Sequence, residues 1–506
     1  MRLYIKRLST FYSYLLPVVP AILLSFIGMH TNYHLRLNDF LDNHYLAMVI
    51  TPANLRSFYD GFFPIGYSLL LKILVGNSFP GVIAYYLNIV LGTAMFYVLA
   101  WHLKGSVNAF LIPFCLFLLF IFPRVFNYLI TPGPDVGTMA FFTSGMLLFI
   151  TSLTNANLTP KQQLALSISS GFLLGISALF RYHALVASVF FLFSCLMGFW
   201  CHRKNILFSV ITLSMVYLPQ ILVNILTGHG PLETYHAINI FNLVHGVDWF
   251  HMDKLMPLPS ASSIIRGAPL LFAINYIRWL IDLGVFAIPP FFYGIITTGN
   301  KEKRCGFCVG IFCLLYALFF AISASPRAVL LIIPISMLFF VKILFSSETP
   351  LLLKRLALTV TLLFSPFFAY KDIQYILHSK AERAVLQSIE NFFISNDIKS
   401  AQEVYTCDYD IYFVSLFPYR PLFNGGWGRI ATYNYSSFYP ELAVTSLQNF
   451  YTDCIRLGVK YVVLNELASD LAAFLGDLYN GSILDNRYKL SFEIGGRKIY
   501  RIVAQE

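Results

Sequence analysis

The sequence predicts a polytopic α-helical membrane protein carrying a small extracytoplasmic α/β domain at its C-terminal end. Three observations lead there. Of 506 residues, 57% are hydrophobic and only 12% charged, about half the charged fraction of soluble proteins, and the mean hydropathy is +0.67. Apolar runs of about 20 residues recur up to position 370, each long enough to cross a hydrocarbon core of about 30 Å. From Lys371 onward the composition becomes that of a soluble domain. The apolar blocks are solid, not alternating, which argues against a β-barrel.

The net charge is +10, but Lys and Arg fall in short clusters between apolar blocks, as in cytoplasmic loops. Nucleic acid is therefore not an expected partner. Met1 to Arg7 is basic and leads into a first span at about Phe11 to Met29. It lacks a small-residue cleavage site, so it reads as an uncleaved span with its N-terminus inside.

An outer loop follows, from His30 to about Phe63. Pro64 to Val75 is apolar but short, suited to the interface or to extending the next helix. A second span covers about Val82 to His102 and a third about Ala109 to Phe122, returning outward to Pro123-Arg124 and Thr131-Pro-Gly-Pro-Asp135. The fourth, about Val136 to Leu153, descends to a polar loop at Thr154 to Gln163. The fifth and sixth form a hairpin whose outer tip is Arg181-Tyr182-His183. The seventh rises over about Ile206 to Leu226 and opens a polar loop, Thr227 to Pro269. The eighth runs over about Leu270 to Ile296, a ninth rises to Ser323–Arg327, a tenth falls to about Phe345, and an eleventh leaves the membrane by about Tyr370. Basic clusters at Lys104, His202-Arg203-Lys204, Lys301–Arg304 and Lys354-Arg355 mark the inner turns. The count is about 11, with residues 1–370 forming the membrane domain and 371–506 the extracytoplasmic one.

In that second domain Lys380 to Phe393 has helical periodicity, and Tyr409 to Phe417 and Lys460 to Leu464 read as strands. Ser469 to Tyr479 reads as a helix, and Tyr488 to Val503 as a hairpin turning on Gly495-Gly496. No internal repeat is present.

The residues with chemistry to offer lie in the loops. Asp39 and Asp42, one turn apart if helical and followed by Tyr45, sit where the chain leaves the bilayer, with Tyr67 closing the segment. Such acids are costly to keep dry and useful at a water-facing catalytic centre; solvating a loop or capping a helix is the plainer role. Asp135 stands in a second outer loop, after Pro-Gly-Pro, where a helix N-terminus also favours an acid. Arg124, Arg181, Arg266, Arg278 and Arg327 share that face. Arginine grips phosphate through a planar fork, whereas headgroup snorkelling accounts for at least two or three of the five.

His229, His236, His245 and His251 share the Thr227 to Pro269 loop with acids. No spacing there matches a metal motif, so a polar substrate-binding loop is the preferred reading. Cys305-x-x-Cys308 lacks a second pair and reads as incidental. Cys407 and Cys454 in the exported domain fit either a disulfide closing a loop of about 46 residues or two unrelated buried thiols. The sequons at Asn434 and Asn480 matter only in a host that glycosylates secreted proteins.

In order, the basic N-terminus, Asp42-x-x-Tyr45, Pro64-x-Gly-Tyr-x-Leu-Leu70, Pro134-Asp135, Arg181-Tyr182, Arg327 before the Pro334 span, and Gly458–Leu464 resemble the GT-C superfamily of polyprenyl-phosphate-dependent glycosyltransferases. The likeness is nearest to bacterial aminoarabinose transferases and protein mannosyltransferases. It spans nearly the whole chain, although each motif is short. Two departures stand out: Asp42 is followed by Asn43 where many relatives have Asp-Glu, and the usual double proline is Phe63-Pro64.

The resemblance implies transfer of one hexosyl or pentosyl group from a polyprenyl-phosphate carrier to a lipid, glycan or protein acceptor at the outer face of the inner (plasma) membrane. Asp42 or Asp39 would be the base, Asp135 would position the acceptor, and Arg181 and Arg327, with Arg124, would hold the donor phosphate. Tyr45, Tyr67, His236 and His245 would line the substrate loops. The sequence demands no cofactor, although a divalent metal is compatible with the acids. The alternatives are a lipid-linked sugar transporter or flippase, which would use the same residues as a path, and a non-catalytic assembly subunit.

Overall fold

A computed structural model of the protein describes residues 63–76, 81–103, 122–232, 261–323, 326–398, 403–406, 446–466, 468–483 and 485–503, with single positions within 23–59 and 240–244. The helices of the membrane part run in chain order as α1 (Gly66–Val75), α2 (Gly81–Leu103), α3 (Pro123–Leu129), α4 (Pro134–Thr154), α5 (Pro160–Phe180), α6 (Tyr182–Gly198), α7 (Arg203–Leu226), α8 (Ala261–Gly267), α9 (Pro269–Ile296), α10 (Asn300–Ser323), α11 (Ile333–Phe345) and α12 (Leu351–Ser395). A 3-10 segment, Pro326–Leu331, joins α10 to α11. Seven of these helices, namely α2, α4, α5, α7, α9, α10 and α12, are long and apolar enough to cross a membrane, and α1, α6 and α11 are shorter apolar helices. The first predicted span is described only at Leu23 and Phe26–Gly28 and the third only at Phe122, so the total of 11 remains an expectation.

Small residues let the central helices approach. Gly171 and Gly175 of α5 face α7, and a Cβ at Gly171 would stand 2.3 Å from the Ser209 carbonyl oxygen. Ser209 Oγ donates across the same seam to the Ser167 carbonyl, 2.7 Å. This spacing of small residues at every fourth position brings helix backbones together in lipid, where burial of apolar surface supplies no drive. α4 is buried on nearly every face and forms the centre of the bundle. Its start at Pro134 and the α5–α6 turn at Arg181 therefore lie at one end of a packed core.

α12 has 45 residues, about 67 Å at 1.5 Å per residue. It passes residue 370 without a break, so the predicted domain boundary falls inside a helix. Beyond the membrane part come β1 (Val404–Thr406), α13 (Leu447–Leu457), β2 (Tyr461–Leu464), α14 (Ala468–Leu471), α15 (Ala473–Asn480), β3 (Tyr488–Ile494) and β4 (Arg497–Ile502). The sheet order is β1-β2-β4-β3, with β1 parallel to β2 and the other pairs antiparallel. Gly495 and Gly496, at φ 56° and 73°, make the expected hairpin turn, since two successive positive φ values match the twist of the strands. The predicted helix at Ser469 to Tyr479 is divided at Ala472, which is extended. Strand Tyr409 to Phe417 lies outside the described residues.

Leu386, Ile389 and Phe393 of α12 pack under Val404, Tyr461, Val463 and Ile499, and this cluster continues into Tyr67 and Leu71 of α1 and Phe180 at the end of α5. Arg497 ties β4 to Glu382 of α12 at 2.9 Å. On the opposite face of the sheet, Phe450 and Cys454 of α13 pack with Tyr405, Val462 and Tyr500. Cys454 is a free, buried thiol, and burial, aided by Asp453, pushes it up from the ordinary thiol range. Cys407 lies outside the described residues. A thiol both buried and protonated reacts slowly, so Cys454 is expected to take up alkylating reagent only after denaturation. Full labelling of the folded protein would contradict this packing, and a bridge to Cys407 would show as protection that reductant removes.

Candidate active site

At the end of the bundle where α4 and α6 begin, the chain brings together residues far apart in sequence. Gly133-Pro134 turns the backbone into α4, with Pro at a position where a missing N–H costs nothing. Asp135 falls in the first turn, where the helix dipole favours its charge. Arg181 is a single extended residue between two helices, φ −149° and ψ 129°, so its side chain leaves neither helix but crosses towards α4. Its Nη2 donates to Asp135 Oδ2 at 3.1 Å, with the two side chains only 9% and 10% exposed. Sequence reasoning gave these two residues separate tasks; the structure makes them one ion pair. The pairing is legible only in three dimensions, because 46 positions separate the partners.

Phe63 also meets Arg181, its ring centroid 5.3 Å from the guanidinium carbon, a cation–π arrangement. The departure from a double proline at Phe63-Pro64 thus has a structural role. Tyr67 is fully buried. Its ring meets Phe180 edge-on at 5.5 Å, and its hydroxyl lies in the field of Asp135 and Arg181, beside the Gly133 backbone, without a hydrogen-bond partner of normal geometry. A Cβ at Gly66 would stand 2.6 Å from the Leu179 carbonyl oxygen, so only glycine lets α1 close on the end of α5 and place Tyr67 there.

The first loop is anchored on α1. Ser68 Oγ donates to Asn43 Oδ1 at 3.1 Å, and Lys72 Nζ donates to the Ala47 carbonyl at 3.1 Å. Asn43, which replaces the second acid of the resembling motif, is itself buried and serves as an anchor. Asp39, Asp42 and Tyr45 lie outside the described residues, as do His236 and His245. Arg124 is the second residue of α3, and its side chain is outside the description. Arg327 sits in the 3-10 segment with its guanidinium 6.0 Å from the Tyr128 ring of α3. Arg266 and Arg278 are exposed, in keeping with snorkelling. Among the described residues no group of three or more His, Cys, Asp or Glu could hold a metal ion.

Sequence reasoning missed a polar network beside this site, made by Tyr59, Tyr182, Gln220 and Asn224. Gln220 Nε2 donates to Tyr59 Oη at 2.6 Å and to Asn224 Oδ1 at 2.7 Å, and its Oε1 accepts from the Ile65 N–H at 2.8 Å. The available signal was an amide pair four residues apart inside an apolar span, a placement that needs partners.

No protein-family model and no curated protein matches the sequence. Solved structures do match the fold. ArnT from Cupriavidus metallidurans, in a crystal structure bound to undecaprenyl phosphate, is similar at a TM-score of 0.59 and 12% identity, over 97% of this chain and 98% of that one. Its apo form gives a TM-score of 0.57 at 12% identity, over 97% of each chain. The chain is an integral membrane protein that shares the overall fold of these two structures.

Proposed function

We propose that the protein is a glycosyltransferase that moves a sugar from a polyprenyl-phosphate carrier to an acceptor at the outer face of the membrane. Residues 1–370 would form the catalytic membrane domain and 371–506 the extracytoplasmic one. The observation that carries this reading is the buried Asp135–Arg181 pair at the end of the bundle, in a fold matched over nearly its whole length by a protein crystallised with undecaprenyl phosphate.

In the proposed reaction an acceptor oxygen attacks the anomeric carbon while the bond from that carbon to the phosphate oxygen breaks. Negative charge gathers on the departing polyprenyl phosphate, and fixed cations stabilise that change more than they stabilise the ground state. Arg181 supplies the first cation. Its guanidinium is planar by delocalisation, and the contacts with Asp135 and the Phe63 ring fix its position. Arg327 supplies a second, at the neighbouring helix α3. Asp42 or Asp39 takes the proton of an acceptor hydroxyl; an acceptor phosphate would need less help from a base.

The reading is tested by following a polyprenyl-phosphate sugar with the purified protein. A transferase releases polyprenyl phosphate in step with sugar appearing on acceptor, whereas a flippase moves the intact lipid across proteoliposomes without cleaving it. Topology gives a further check. Reporter fusions after Arg304 and after Gln505 are expected in opposite compartments, inside and outside respectively, and finding both in one compartment would contradict the placement of the site at the outer face.

A further inference from the structure

The geometry points to Gln220 as a positioning residue that sets the guanidinium of Arg181 through two arms, one by way of Phe63 and one by way of Tyr182. The inference rests on the reading of Arg181 as the donor-phosphate residue, and concerns how that residue is held.

Gln220 lies in α7 and acts on the ion pair through its neighbours; it is fully buried, as is Asn224 one turn later. An amide offers two N–H donors and one carbonyl acceptor, and here all are used. The first arm runs through the loop. Gln220 Oε1 accepts from the Ile65 N–H at 2.8 Å, Nε2 donates to Tyr59 Oη at 2.6 Å, and Tyr59 Oη donates to the Phe63 carbonyl at 2.9 Å. The main chain is thereby pinned at Phe63 and Ile65, on both sides of Pro64, and it is the Phe63 ring that lies 5.3 Å from the Arg181 guanidinium. The second arm runs through α6. Tyr182 Oη is 3.0 Å from Tyr59 Oη and 3.2 Å from Gln220 Nε2, and Tyr182 is the residue next to Arg181. One amide therefore governs both the ring beside the guanidinium and the backbone that carries it.

An apolar residue could fill this place in the bundle without the risk of an unsatisfied buried amide. What an apolar residue cannot do is hold Ile65, Tyr59 and Tyr182 in one register. Asn224 extends the same network, since its Nδ2 donates to the Pro231 carbonyl at 3.2 Å, at the opening of the Thr227 to Pro269 loop.

The test measures binding of undecaprenyl phosphate to the full-length protein in detergent or nanodiscs. Gln220→Leu and Tyr59→Phe are each expected to weaken binding about tenfold, the scale of one misplaced charged contact. Tyr59→Phe deletes a single oxygen and keeps the ring, so it carries the test if Gln220→Leu does not fold. In an Arg181→Lys background, where there is no planar fork to orient, the same two substitutions are expected to change affinity by less than about twofold. A residue that merely packs the helices would act alike in both backgrounds. Wild-type affinity in folded Gln220→Leu and Tyr59→Phe, or equal losses in the wild-type and Arg181→Lys backgrounds, would overturn the positioning role. Wild-type affinity in Arg181→Lys and Arg181→Ala would instead overturn the phosphate-holding reading on which it rests.

Discussion

Asp42→Asn is expected to lower sugar transfer by about 10²–10⁴-fold, the usual cost of removing a general base, while leaving donor binding and folding nearly intact. The substitution keeps size and hydrogen-bonding capacity but cannot accept the proton of an acceptor hydroxyl. The neighbouring anchors give the expectation physical content. Asn43 is held by Ser68 and Ala47 by Lys72, both on α1, the helix whose Tyr67 lies beside the Asp135–Arg181 pair. Asp39→Asn is the companion experiment, because it separates the two acids. Full transfer by both single variants would remove the proposed base mechanism, and loss in Asp39→Asn alone would move the role to Asp39.

The second large effect concerns the ion pair. Removing one member of a buried pair leaves the other charge uncompensated, which costs about 3–5 kcal/mol. Arg181→Ala and Asp135→Ala are therefore each expected to lower thermal stability in detergent sharply. Asp135→Asn should cost less, since an amide oxygen still accepts from the guanidinium. Replacing both residues, as in Asp135→Leu with Arg181→Met, is expected to recover much of the stability, because neither charge is then stranded. That double variant separates folding from function: it should be stable and yet fail to bind undecaprenyl phosphate. Stability equal to wild type in both single variants would mean that the pair is solvated, contrary to its burial.

Much of the architecture was legible because membrane crossing imposes a length and a composition on each helix. Solid apolar runs and alternating basic clusters located nine of the predicted spans on helices that the structure describes. The hairpin at Gly495-Gly496 was legible for a comparable reason, as few residues accept its backbone angles. The course of α12 was not. The change of composition at Lys371 looks like a domain boundary, but charge does not interrupt a helix, and this one runs on even past Pro366, five residues earlier. The division at Ala472 was also hidden, since alanine favours helix and only the tertiary setting extends it.

At the candidate site, residue types were legible and their partners were not. Asp135 and Arg181 stood out as charges at the ends of apolar spans, yet nothing in the spacing says that they neutralise each other. Phe63 looked like a departure from a motif and proves to be the ring beside Arg181. Gln220 belongs to no motif, and its importance follows only from the hydrogen bonds that converge on it.

The central claim, that this end of the bundle holds a polyprenyl phosphate, is tested most directly by mass spectrometry of the lipids that stay with the purified protein, before and after addition of undecaprenyl phosphate. The account predicts about one polyprenyl phosphate or polyprenyl-phosphate sugar retained per chain, exchangeable with the added lipid and lost in the stable Asp135→Leu with Arg181→Met double variant. Retention of no such lipid by the wild type at saturating undecaprenyl phosphate, or equal retention by the double variant, would contradict it.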